Sequence, residues 1–186
     1  MALDTSKIKV MELTDVMVYE MTADSGVGPT YGNGVPITGL VKVSIKPEMA
    51  TAELEGDGTL LDVWSKMKSA EIEIESAYLS MDVLAILAGV EVTTTGATPN
   101  QVSSYEVGKD SRPKWFKIEG RWVYAGLGLG SVNFTLHKCK ATDPGTLEPG
   151  ASEFGGMKVT AKAVPTESTG KIYKLDANET AAALSE

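Results

Sequence analysis

The chain has 186 residues, with 17 Lys and Arg against 25 Asp and Glu, and a net charge of −8. This length suits one domain that buries roughly 70% of its unfolded chain's surface, so no disulfide or metal staple is required. The acidic balance excludes a basic protein that grips nucleic acid by releasing counterions along the phosphates, and it argues against docking on an anionic membrane. One Cys (Cys139) and one His (His137) are too few for a Cys/His zinc site within one chain or for any disulfide.

The N-terminal Met-Ala-Leu-Asp-Thr-Ser-Lys carries no basic stretch followed by an apolar one. The longest apolar run, Val83 to Val90, is far short of the ~20 residues a membrane helix needs. The expectation is a protein made in a cytoplasm and soluble there.

Along the chain the dominant period is two. Ile8 to Glu20 reads as a strand, rich in Val, Met and Tyr. The segment 22–36, rich in Gly and Pro, reads as a long loop of the kind that becomes ordered on a partner. In Leu40 to Lys46, Val41, Val43 and Ile45 point one way and Lys42, Ser44 and Lys46 the other. Thr51 to Glu55 sets Ala52 and Leu54 against Glu53 and Glu55, and Gly56-Asp57-Gly58 marks a turn. Glu71-Ile72-Glu73-Ile74-Glu75 is the strongest alternation.

One helix interrupts this pattern. Ser80 is a good N-cap, Asp82 sits in the first turn, Leu79, Val83, Leu84 and Leu87 form an apolar stripe, and Gly89 ends the helix. So short a helix must pack on a sheet. The segments 93–104 and 142–156 read as further long polar loops. Trp115 to Glu119, Ser131 to Lys140, Met157 to Val164 and Lys171 to Leu175 read as strands, and 176–186 as a tail. Many half-buried strands with one helix predict a single mainly β domain over 1–186, an antiparallel β-sandwich or barrel.

Motifs for chemistry are weak. Gly126, Gly128 and Gly130 are followed by a strand and not a helix, which suits a hairpin bend and not a dinucleotide loop. His137 and Cys139 read as sharing a strand face, with no third group to orient a nucleophile pair. Glu53, Glu55, Glu71, Glu73 and Glu75 read as solvated faces and not as a glycosidase pair. Trp64, Trp115 and Trp122 suit core or interface packing better than a sugar platform. The expectation is no catalytic residue, no metal and no cofactor.

The order of these features does resemble a family. The segments Leu54-Glu-Gly-Asp-Gly-Thr-Leu60, Ala70-Glu-Ile-Glu-Ile-Glu-Ser-Ala-Tyr-Leu-Ser-Met-Asp-Val-Leu-Ala-Ile-Leu-Ala-Gly89, Gly130-Ser-Val-Asn-Phe-Thr-Leu-His-Lys-Cys-Lys-Ala-Thr142 and Asn178-Glu-Thr180 follow one another as in that family. Together they resemble the major tail tube proteins of long, non-contractile-tailed bacteriophages.

The resemblance implies hexameric rings stacked into a hollow tube in the virion tail, assembled in the bacterial host cytoplasm. It also implies inner strands that complete an intersubunit β-barrel. The implied partners are further copies of the chain, a tape measure protein and a tail terminator. Genomic DNA would pass through the lumen without specific binding, and no membrane is involved.

An acidic wall keeps DNA hydrated and mobile, so Glu53, Glu55, Glu71, Glu73 and Glu75 are the candidate lumen residues. These acids could equally face outward or pair with Lys42, Lys46, Lys158 or Lys162. Ser25, Tyr31, Asn33 and Leu184 are the candidate contacts between subunits or rings. The alternatives are another β-sandwich virion protein, such as a head decoration protein or tail terminator, and a carbohydrate-binding module.

Overall fold

The computed structural model describes residues 10–57, 59–124, 130–147, 156–180 and 184. The elements, in chain order, are β1 (Val10–Ser25), β2 (Gly28–Pro36), β3 (Leu40–Gly56), β4 (Thr59–Ser76), α1 (Met81–Ala88), β5 (Val92–Thr95), β6 (Val102–Tyr105), β7 (Trp115–Tyr124), β8 (Ser131–Leu147), β9 (Met157–Ala163) and β10 (Tyr173–Asn178). All pairings are antiparallel. One sheet runs in the order β2-β1-β7-β8-β9-β4-β3, with β10 also paired to β8, and β5 with β6 forms a separate small hairpin. The chain is the mainly β sandwich with one short helix that the period-two pattern predicts.

The sheet becomes a sandwich at β8. Residues 131–136 of β8 lie between β7 and β10, whereas 139–147 pair with β9. Between these halves Phe116 faces Cys139 but Ile118 faces Leu136, so β8 carries one extra residue at His137–Lys138. Such a bulge bends a strand and lets it serve two layers. Val16 and Val18 of β1 therefore share a core with Ile72 and Ile74 of β4, although three strands separate β1 from β4 in the sheet. Helix α1 closes this core with Val83, Leu84, Leu87 and Ala88.

The helix follows its sequence signals. Ser80 Oγ accepts from Val83 N, and Gly89 takes the left-handed conformation (φ 69°) and returns its N–H to Ala85 O. The carbonyl of Arg112 occupies the space where a Cβ on Gly89 would go, so a side chain is excluded there as well. Leu79 does not join the apolar stripe. It precedes the cap and stands 49% exposed.

Several loops expected from composition are paired strands. Segment 22–36 is the β1–β2 hairpin, with its turn between Ser25 and Gly28. One of its glycines meets a packing demand: Gly34 lies against the Tyr19 ring, which a Cβ would approach to 2.6 Å. Segment 93–104 is largely the β5–β6 hairpin, whose Thr and Ser are exposed on both faces and give no alternation to read. Residues 142–147 continue β8 through two further irregularities, one at Thr142 and one at Pro144–Gly145, and 148–155 lie outside the described residues. Of the expected tail, 176–178 belong to β10. The segments 40–46 and 51–55 are one strand, and Val41, expected inside, is 66% exposed because β3 has a register shift between Leu40 and Lys42.

The bulge also moves Cys139 into the core beside Leu136 while His137 stays on the outer face with Thr135, so the two do not share a face. Gly126 and Gly128 lie outside the described residues, and the strand expected after Gly130 begins at Ser131.

Gly120 sits where packing is tightest. A Cβ there would come within 2.7 Å of Val16 Cγ2 and closer still to the Phe134 ring. Gly120→Ala is expected to cost about 1–3 kcal/mol through overpacking, read as a lowered urea midpoint with an unchanged slope.

Candidate functional site

The β3–β4 hairpin is longer than the body it grows from. β9 pairs with β4 only from Ala70 to Ser76, whereas β3 and β4 stay paired out to Gly56 and Thr59. Beyond Met49 and Met67 the ribbon is an arm, reaching roughly 25 Å at about 3.3 Å per residue. The expected turn closes it, with Asp57 at φ 51°. The root is fixed: Ser69 Oγ donates to Glu48 Oε2 at 2.5 Å, and Lys162 Nζ lies 2.6 Å from the same oxygen. These two donors hold the Glu48 carboxyl below the usual carboxylate range, Lys162 contributing most. A bulge flanks the root at Lys68, and another lies near the tip at Leu61.

The arm's surface is unlike that of a free hairpin. One face carries Ala52 with Trp64 and Leu54 with Asp62, and the other Met49 with Met67, Glu53 with Val63 and Glu55 with Leu60. Met49, Leu54, Leu60, Leu61, Val63 and Trp64 are each between 49% and 65% exposed. Both faces are thus apolar in part, and among the described residues neither long edge along 59–69 has a strand partner. A ribbon of two strands without a covered face is marginal in water, and unpaired strand edges invite pairing with another chain.

The candidate lumen acids separate into two environments. Glu53 and Glu55 share one arm face and stand opposite Val63 and Leu60, with no cation across the strand. Glu71, Glu73 and Glu75 form the central column of a face on the body. Lys46, Ser44 and Lys42 flank them on β3, and Lys162, Thr160 and Lys158 on β9. Lys158 Nζ is 2.8 Å from Glu73 Oε1 and 3.8 Å from Glu75, and Lys42 is 4.0 Å from Glu73. The hydrogen bond from Lys158 draws the Glu73 carboxyl below its ordinary value. Lysine pairing, one of the alternatives for these acids, is therefore what the body face displays.

A second cluster surrounds the β8 bulge. Tyr31 Oη donates to His137 O at 2.9 Å, His137 N donates to Ile172 O, and Val164 N donates to Lys138 O. The buried Lys138 ammonium reaches Asp24 Oδ2 at 2.7 Å and Glu167 at 3.2 Å. That contact raises the pKa of Lys138 and lowers that of Asp24. Beside them Lys117 pairs with Glu119 at 2.9 Å and lies 4.0 Å from the centre of the Tyr19 ring. This clasp ties the tip of the β1–β2 hairpin to the β9–β10 connection.

The candidate contact residues fall around this outer face. Tyr31 is part of the clasp, where burial, its largest influence, raises the phenol pKa. Asn33 and Leu184 come together in a groove of about 630 Å³ with Met17, Tyr19, Gly34 and Arg121. Ser25 lies apart at the exposed hairpin tip beside Val27. The three Trp also differ. Trp122 packs on Phe134 with centroids 4.5 Å apart, Trp115 carries the ammonium groups of Lys138 and Lys140 at 5.1 Å, and Trp64 is exposed on the arm.

Among the described residues no group of three or more His, Cys, Asp and Glu is arranged to hold a metal, and no helix is long and apolar enough to cross a membrane. No protein-family model matches the chain, and no curated protein matches it. The sequence missed the clasp because the pairs that meet at the bulge lie 26 (Lys138–Val164) to 114 (Lys138–Asp24) positions apart and are brought together only by the sheet order. The arm had a signal: Leu60, Leu61, Val63 and Trp64 crowd apolar residues on both strand faces immediately after a turn.

Burial pushes the His137 imidazole below its ordinary value of 6.5; Lys171, Lys117 and Lys174 add to this, and Glu119 opposes it. The fold thus favours the neutral ring. Its stabilising share is present above pH ~6.5 and is lost as pH falls through that value toward the lower folded pKa. The urea midpoint of the wild type is expected to fall over this window. In His137→Gln that part of the slope should be absent.

Proposed function

We propose that the chain is a self-assembling structural subunit of a bacteriophage tail tube. In this reading it forms hexameric rings that stack around a channel for the genome. The observation that carries the reading is the arm: a rigidly rooted ribbon with apolar residues on both faces and two unpaired edges. Such a ribbon is stabilised when neighbouring copies add strands to its edges, which removes them, as in a closed barrel. The family resemblance supplies the ring number, the tail location, and the tape measure protein and tail terminator as partners.

The lumen is assigned on the same reading. Glu53 and Glu55 are the stronger candidates, because no lysine neutralises them across the strand. Glu71, Glu73 and Glu75 would give a wall of alternating sign, since lysines flank them on both sides. DNA would slide past either surface more freely than past a basic one.

Negative-stain microscopy of the purified protein tests the assembly. Rings or tubes of uniform diameter are expected. Leu54→Glu with Trp64→Glu, both on exposed arm positions, should leave a folded monomer with unchanged circular dichroism and no tubes. A wild-type protein that stays monomeric and binds glycans through Trp64 would support the carbohydrate-binding module instead. One that binds only to capsids would support a decoration protein.

A further inference from the structure

The arm face that carries Glu53 and Val63 starts, at the root, with a pair of methionines. Met49 of β3 stands directly opposite Met67 of β4, a spacing that puts their Cβ atoms about 5 Å apart. Their surroundings differ. Met49 is 50% exposed. Met67 is half-buried and packs against the core, and it also borders a groove of about 520 Å³ with Pro165, Ile172 and Tyr173. Of the other methionines with described side chains, Met157 is 1% exposed and Met17, Met21 and Met81 are half-buried. The sulfur of Met17 also accepts a hydrogen bond from Tyr19 Oη at 3.4 Å.

The pair sits where the ladder changes. The register shifts between Glu48 and Met49, leaving Lys68 as an extra residue in β4, and β9 pairs with β4 only from Ala70 onward. Met49 and Met67 are therefore the first cross-strand contact of the two-stranded arm. The Glu48 brace holds the body side of this contact, and among the described residues no third strand lies alongside it.

We propose that this pair is a methionine oxidation site that loosens the arm at its root. Met49 is the entry point. Its thioether sulfur attacks one oxygen of a hydroperoxide, the S–O bond forms as the O–O bond breaks, and the other oxygen leaves as water or an alcohol. The sulfur loses two electrons and the peroxide gains them. The product, a sulfoxide, is polar and chiral. Opposite it stands the Met67 thioether, which offers no hydrogen-bond donor. The apolar contact is lost, and water follows the new oxygen into the root. Met67 then has the adjoining groove to swing into, and it is oxidised in turn. A reductase that removes the oxygen as water, at the expense of two thiols, restores the pair. The site belongs to the single chain and stands with or without assembly.

Treatment with hydrogen peroxide followed by peptide mapping tests the site. Cys139 is buried and does not compete. Met49 is expected to gain oxygen first, Met67 to follow after a lag, and Met157 to stay unmodified while the chain is folded. Met49→Leu keeps the apolar contact but cannot be oxidised, so Met67 should react several times more slowly in that variant. Amide exchange across 50–66 should quicken in wild-type protein oxidised at Met49. It should stay at its starting level in Met49→Leu under the same peroxide, and return to it in the wild type after methionine sulfoxide reductases and dithiothreitol.

The proposal would be overturned by Met17, Met21 or Met81 reacting as fast as Met49, or by Met67 reacting equally fast in wild type and Met49→Leu. Unchanged exchange over 50–66 once Met49 carries oxygen would overturn it as well.

Discussion

One extra residue in β8 governs how this chain becomes a sandwich. Without the bulge at His137–Lys138, β8 would continue in a single pleat and the sheet would stay open, with Val16 and Val18 far from Ile72 and Ile74. With it, β8 gives its first half to β7 and β10 and its second to β9. The same displacement sends Cys139 inward, where burial drives its thiol pKa far up and leaves it inert as a nucleophile. It also aims the Lys138 ammonium at Asp24 and Glu167. The clasp is therefore a consequence of the bend: it fixes the β1–β2 hairpin to the one place where the two layers part.

The arm follows from the other end of the sheet. β9 has only seven residues and covers only the base of β4. Among the described residues, what β4 and β3 hold beyond that point has no third strand and no core. Apolar residues there cannot be explained by the fold of one chain, because the fold does not bury them. Glu48, Ser69 and Lys162 brace the root, so the ribbon leaves the body at a fixed point. A fixed root, free edges and apolar faces together suit assembly with further copies better than recognition of a small ligand, which calls for a concave site.

The body face and the arm differ in electrostatics as well. Lysines on β3 and β9 bracket the glutamates of β4, so opposite charges meet across strands and the face is locally balanced. The arm tip has carboxylates alone. Much of the net negative charge that is free to act on a partner therefore stands on the part that projects.

The sequence by itself determined the local structure. Strict alternation in 71–75 and 131–136 fixed which residues face the core, and Ser80 with Gly89 fixed both ends of the helix, because these signals depend only on neighbours a few residues away. It misjudged 22–36 and 93–104, where Gly, Thr and Ser suppress alternation although cross-strand partners pair the backbone. The acidic set Glu53, Glu55, Glu71, Glu73 and Glu75 was legible as sheet faces, but not its division into an unpaired pair and a lysine-bracketed triad. That division depends on which strand lies beside β4 and how far it reaches. The bulge, the clasp and the arm were decided only by the tertiary structure, since each arises from strands of unequal length meeting across distant parts of the chain.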